Sequence, residues 1–153
     1  MDNLAVDASP RTPYTVETRV GHLVEARVFR LASADEVDTY IRRLADAVAK
    51  LPSGTTGVLC ADHRPAELYT QVVTDRLVES FQYMNERLQR VAIITGFHKA
   101  TLYMQLRRIV READYEARQV FQDNDGGLRH LAVALSPEER MRAAAFLAEF
   151  EER

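Results

Sequence analysis

Cysteine is nearly absent from this sequence: Cys60 stands alone among 153 residues. A single thiol excludes an internal disulfide and any thiolate metal cluster, and it suits a reducing compartment. Lysine is almost as scarce, with only Lys50 and Lys99 beside 18 arginines. No run of about 18 apolar residues occurs, so no segment reads as a membrane-spanning helix. Met1 to Thr12 is mixed and polar and lacks the apolar centre of a secretory signal, which makes the cytoplasm the expected location. Basic residues are not in excess either. The net charge is −3, from 20 basic and 23 acidic side chains, which denies the electrostatic footprint of a general nucleic-acid binder. There is no GxGxxG, no P-loop and no GxSxG, and no internal repeat or low-complexity stretch.

What is present describes an ordinary globular chain. At 46% hydrophobic and 28% charged residues, the composition matches a folded domain. A chain of this length buries roughly 70% of its unfolded surface. One domain is expected over 14–153, after a loose N-terminal tail over 1–13 marked by Asp2, Asp7, Ser9, Pro10 and Pro13.

Tyr14–Val20 and His22–Leu31 read as two strands joined at Gly21, an antiparallel hairpin. Ser33-Ala34-Asp35-Glu36 has the form of a capping box. Val37, Tyr40, Ile41, Leu44, Val48 and Leu51 then recur at helical spacing, and Pro52-Ser53-Gly54 ends the helix. Gly57–Ala61 is a short apolar run suited to a buried strand. Pro65 marks the start of a second helix, with Leu68, Val72, Val73, Leu77, Phe81, Met84 and Leu88 as its apolar stripe. Val91–Thr95 is the clearest strand. A third helix carries Leu102, Leu106, Ile109, Val110 and Ala113. Ala117–Gln122 reads as a strand, Asp123–Gly127 as a turn-forming loop and Leu128–Leu135 as a short helix. Ser136-Pro137-Glu138-Glu139 opens the last helix with a capping box and proline at its first position.

The expected fold class is therefore α/β, a mixed central β-sheet covered by helices, in the order β-β-α-β-α-β-α-β-α-α. The later strands are expected to run parallel, because a helix lies in each crossover. This order over Tyr14 to Leu135, with Ala117-Arg118-Gln119-Val120-Phe121-Gln122-Asp123 as its most suggestive stretch, resembles the STAS family. That is the fold of the bacterial anti-sigma-factor antagonists, and the nearest likeness is to its divergent free-standing branch. The resemblance implies a non-enzymatic regulatory module that binds a partner protein. In antagonist members, a serine at the start of the helix after the central strand is phosphorylated. The equivalent Leu59-Cys60-Ala61-Asp62-His63-Arg64-Pro65 holds no serine or threonine, which argues against that switch here. The helix after Ser136 lies outside the minimal family pattern.

Candidate binding residues follow from the topology. In open α/β sheets, ligands collect beyond the carboxyl ends of parallel strands. The Gly57–Ala61 strand ends in Asp62-His63-Arg64 and the Val91–Thr95 strand in Gly96-Phe97-His98-Lys99. If the two strands are neighbours, His63, Arg64, His98 and Lys99 share one rim, where helix N-termini favour anions. This is the alternative function: binding of a small molecule or anion, with weak catalysis open. The plainer reading is solvated loop residues, with Asp62 offsetting the charge.

No metal site is expected, since His22, His63, His98 and His130 are scattered without zinc spacing. No cofactor or catalytic residue is assigned. Cys60, set in an apolar run, reads as a buried small residue rather than a nucleophile. Arg107, Arg108 and Arg111, with Arg87 and Arg90, suggest a basic patch diluted by Glu86, Glu112 and Asp114. Tyr69, Tyr83 and Tyr103 on helices leave a homodimer contact open beside ordinary packing.

Overall fold

The computed structural model describes residues 12–150. The described residues form five strands and five helices: β1 (Tyr14–Glu17), β2 (Leu23–Val28), α1 (Ala34–Ala49), β3 (Gly57–Asp62), α2 (Gln71–Met84), β4 (Leu88–Ile94), α3 (Ala100–Ala113), β5 (Arg118–Phe121), α4 (Asn124–Ala132) and α5 (Pro137–Ala148). The strands form one sheet in the order β1-β2-β3-β4-β5. β1 is antiparallel to β2, and β2 through β5 are mutually parallel. The α/β class, the mixed sheet and the element order are as the sequence predicts. The expected N-terminal tail lies almost wholly outside the described residues. Pro13, inside them, accepts backbone hydrogen bonds from Phe29 and Arg30.

Strand periodicity sorts the side chains onto two faces. Val24, Leu59, Val91 and Arg118 are side by side in register, as are Ala26, Ala61, Ile93 and Val120. These rows meet α1, α2 and α3 in the larger core, with Tyr40, Ile41, Leu44, Leu77, Met84, Leu106 and Ile109 above them. The opposite face carries Leu23, Val58, Cys60, Ala92 and Ile94, covered by Leu131 of α4 and Ala143, Phe146 and Leu147 of α5. Cys60 is fully buried, and burial raises its thiol far above the ordinary range.

Side-chain caps set the helix starts. Ser33 accepts from Glu36 N, and the Glu36 carboxylate returns to Ala32 N rather than to Ser33. Ser136 and Glu139 close a full capping box with Pro137 in the first turn.

Three readings differ from the sequence expectation, the simplest being Leu88, expected on the second helix but found as the first residue of β4. Pro65 does not open α2. It sits in a turn closed by Ala66 N to His63 O, and the helix begins six residues later, capped by Thr70. Leu68 and Val72 are consequently exposed rather than core, and Val73, Leu77, Phe81 and Met84 carry the buried stripe. Asp123–Gly127 is not a loop. Asp123 caps α4, accepting from Gly126 N at 2.6 Å, and the helix runs through both glycines. A side chain at Gly127 would collide with the end of Ile94. Glycine there lets α4 lie against β4.

Candidate functional site

β3 and β4 are adjacent and parallel, so their carboxyl ends and the loops that follow them do share one edge. The side chains proposed for that rim are placed as follows. Asp62 is fully buried and gathers two guanidinium groups. Arg64 donates from Nε at 2.8 Å, from Nη2 at 3.0 Å and from its backbone N at 3.0 Å, and Arg27 donates from Nε at 2.8 Å. Burial alone would raise the Asp62 carboxyl. The hydrogen bonds and positive charge of Arg64 and Arg27 outweigh it and hold the group below its ordinary value. Arg64 also donates to Leu147 O at 2.7 Å and Arg27 to Phe146 O at 2.6 Å. Both guanidiniums lie near the Phe150 ring, and Arg27 lies over Phe146. Arg64 thus anchors the carboxyl end of α5.

Lys99 donates to Ala66 O at 2.7 Å and pairs with Glu67 at 3.2 Å, tying the β3–α2 loop to the start of α3. His98 is exposed. His63 faces inward, opposite to Asp62, and is buried on the α1–α2 side of the sheet. Its Nδ1 is 2.7 Å from the Tyr69 hydroxyl. Burial depresses the imidazole to about 4 despite the nearby Asp62, so it is neutral near pH 7. The topology brings the four residues to one edge, but Arg64, Lys99 and His63 are each engaged within the chain. The other histidines are braces: His22 spans Thr56 O and Ala134 O, and His130 spans Arg90 and Ala117 O. No group of three or more His, Cys, Asp or Glu among the described residues could hold a metal ion.

Two further arrangements bring together residues that the sequence reading did not join. One is a groove of about 620 Å³ between the amino-terminal halves of α2 and α3. It is lined by Gln71, Thr74, Thr101, Met104 and Gln105 and edged by Arg107, Arg108 and Arg111. Met104 is 69% exposed, and Leu68, Val72 and Phe97 are exposed large apolar residues on the neighbouring loops and helix start. Arg107 lies over Tyr103 and Arg108 pairs with Glu112, while no carboxylate lines the groove. Of the tyrosines singled out by sequence, Tyr69 is buried and Tyr83 is exposed.

The other arrangement is an interior cavity of about 10 Å³ beneath α1 and α2, lined by apolar side chains and by Tyr40, His63 and Arg118. Arg118 is 3% exposed. It donates to Asn85 Oδ1 at 2.6 Å and to Phe81 O at 3.2 Å and lies near the Phe81 and Tyr115 rings. It has no carboxylate partner among the described residues, and burial lowers its guanidinium to about 10.

No helix among the described residues is long and apolar enough to cross a membrane. No family model matches the chain. No curated protein matches it either.

Proposed function

We propose that the chain is a non-enzymatic regulatory module of the STAS-like type. It binds a partner protein through the groove between α2 and α3. The observation that carries this reading is the concentration of exposed apolar side chains at one end of the sheet. Leu68, Val72, Phe97 and Met104 gather around the amino termini of two neighbouring helices. Met104 lines the groove itself, and exposed apolar surface is a common mark of a binding face.

The chemistry around the patch specifies the occupant. Arg107, Arg108 and Arg111 edge a groove without lining carboxylates. The partner segment therefore carries apolar side chains flanked by acidic ones. Apolar contact supplies the affinity and charge supplies orientation and encounter rate. The STAS likeness adds that the strand-end loop lacks the serine and threonine of the phosphorylation switch. Engagement is then governed by partner concentration or by a change in the partner.

Site-specific photocrosslinking tests the reading. A crosslinker at Met104 is expected to yield one discrete adduct with another polypeptide in its native cell, lost when Arg107 and Arg111 are changed to Glu. The same crosslinker at Met141, 75% exposed on α5, gives none. An adduct equally strong at both positions, an adduct made only of two copies of this chain, or no adduct at all would overturn the proposal.

A further inference from the structure

Arg90 of β4 and His130 of α4 meet on the sheet face that α4 and α5 cover. By strand alternation Arg90 shares that face with Ala92 and Ile94. Its Nη1 donates to His130 Nδ1 at 2.9 Å and to the His130 carbonyl at 3.1 Å. Among the described residues Arg90 makes no other hydrogen bond and has no carboxylate partner. A guanidinium carries N–H donors and no acceptor. Nδ1 is therefore the bare, accepting nitrogen of the ring. The ring proton sits on Nε2, which donates to Ala117 O at 2.9 Å. Only the neutral Nε2–H form satisfies both contacts.

A second proton can go only to Nδ1. It would aim an N–H at the N–H of Arg90 and set two positive charges face to face. The bond to Ala117 survives that change, and the bond from Arg90 does not. Solvent can deliver the proton, because half-buried His130 lines an open trough of about 1190 Å³ beside β5. The released guanidinium would find carboxylates there. Asp114 and Glu116 stand before β5 and Asp123 at the start of α4, all three exposed. Arg129 is the other cation of the trough, and the Tyr115 hydroxyl is already spent on Leu88 O.

We propose that His130 and Arg90 form a proton-operated latch between α4 and the sheet. With the ring neutral, Arg90 is drawn in against α4. With the ring protonated, Arg90 swings into the trough toward Glu116 and Asp114, and the second half of α4 loosens from β4. Burial lowers the affinity of this imidazole for a proton; the hydrogen bond to Ala117 opposes that, and the charge of Arg90 adds to it. The latch therefore opens below the ordinary imidazole value of 6.5. Mild acid then remodels the surface along β5 while both cores stay folded.

Nuclear magnetic resonance on the full chain, from pH 7.5 to 5, tests the latch. Ring nitrogen couplings are expected to show the Nε2–H form at pH 7.5. As His130 titrates, the Arg90 side-chain signals should move with the same midpoint. Arg90→Met removes the opposing charge and should shift the His130 midpoint upward. His130→Asn sets an amide oxygen near the place of Nδ1, an acceptor that does not titrate, so the Arg90 signals should hold still across the range. An Nδ1–H ring at pH 7.5 overturns the proposal. So do Arg90 signals that ignore the His130 titration, or a midpoint that Arg90→Met leaves in place. If Arg90→Met fails to fold, the tautomer and the Arg90 signals of the parent chain decide the matter.

Discussion

Lowering the pH from 6.5 toward 4 is predicted to weaken the fold along a slope set by His63. The unfolded chain takes up a proton on this imidazole near its ordinary value of 6.5. The buried ring does so only near 4. Between those values the unfolded state binds more protons, so stability falls as pH falls. The slope is about 1.4 kcal/mol per pH unit, and the full window amounts to about 3 kcal/mol. Asp62 and Glu139 act at lower pH. Their carboxyls are held below the ordinary value, so their contribution is intact above it and is lost only on further acidification. His130 is half-buried and also lowered, chiefly by burial, and adds to the slope in the same direction.

The assay is urea unfolding at half-unit steps from pH 7 to 4.5, on the parent chain, on His63→Gln and on His130→Gln. His63→Gln is expected to be less stable at pH 7, because it disturbs the Tyr69 contact, but to be much flatter across the window. If it keeps the parent's slope, or if nuclear magnetic resonance titrates the native His63 near 6.5, the assignment of a neutral interior imidazole is wrong.

Two further expectations concern the sheet face under α4 and α5. Asp62→Ala leaves Arg27 and Arg64 buried side by side without their shared carboxylate and should cost about 3–5 kcal/mol in chemical unfolding; a loss below about 1 kcal/mol would refute the clamp. Gly127→Ala drives a methyl group into the Ile94 side chain and should cost about 1–3 kcal/mol. Adding Ile94→Val, which removes the obstructing methyl, should restore part of that loss, and strict additivity of the two changes would count against the close approach.

Much of the architecture could be read from local signals. The Ser33 and Ser136 caps, the stripe through Tyr40 and Leu44, and the apolar runs of β3 and β4 each fix an element without tertiary knowledge. The errors have a common cause: one residue type serves two local roles. Proline favours both first helical turns and ordinary turns, and at Pro65 the turn wins because Thr70 supplies the cap. Asp, Asn and Gly suit loops and helix starts alike, and at Asp123 the close fit of Gly127 against Ile94 selects the helix.

The site was harder to read. Strand adjacency follows from pattern, but which way His63 turns depends on alternation counted from Leu59, and Arg64's attachment to Leu147 spans 83 residues. Arg118 looks like a solvated strand end until register places it beside Val91. The alternation Arg118, Gln119, Val120 was the one signal available, with Gln119 outside and its neighbours inside.

Helix α5 meets the sheet through contacts that define a single seat. Glu139 accepts from His22 N, Arg142 grips Glu25 with two hydrogen bonds, and the carbonyls of Phe146 and Leu147 receive Arg27 and Arg64. Sliding the helix by one turn, about 5.4 Å, would break all of these at once and strand charged groups away from water. An oily interface alone would tolerate several neighbouring alignments. These contacts work like the wards of a lock, so the last helix can dock in one position and is poorly suited to shifting along the surface it covers.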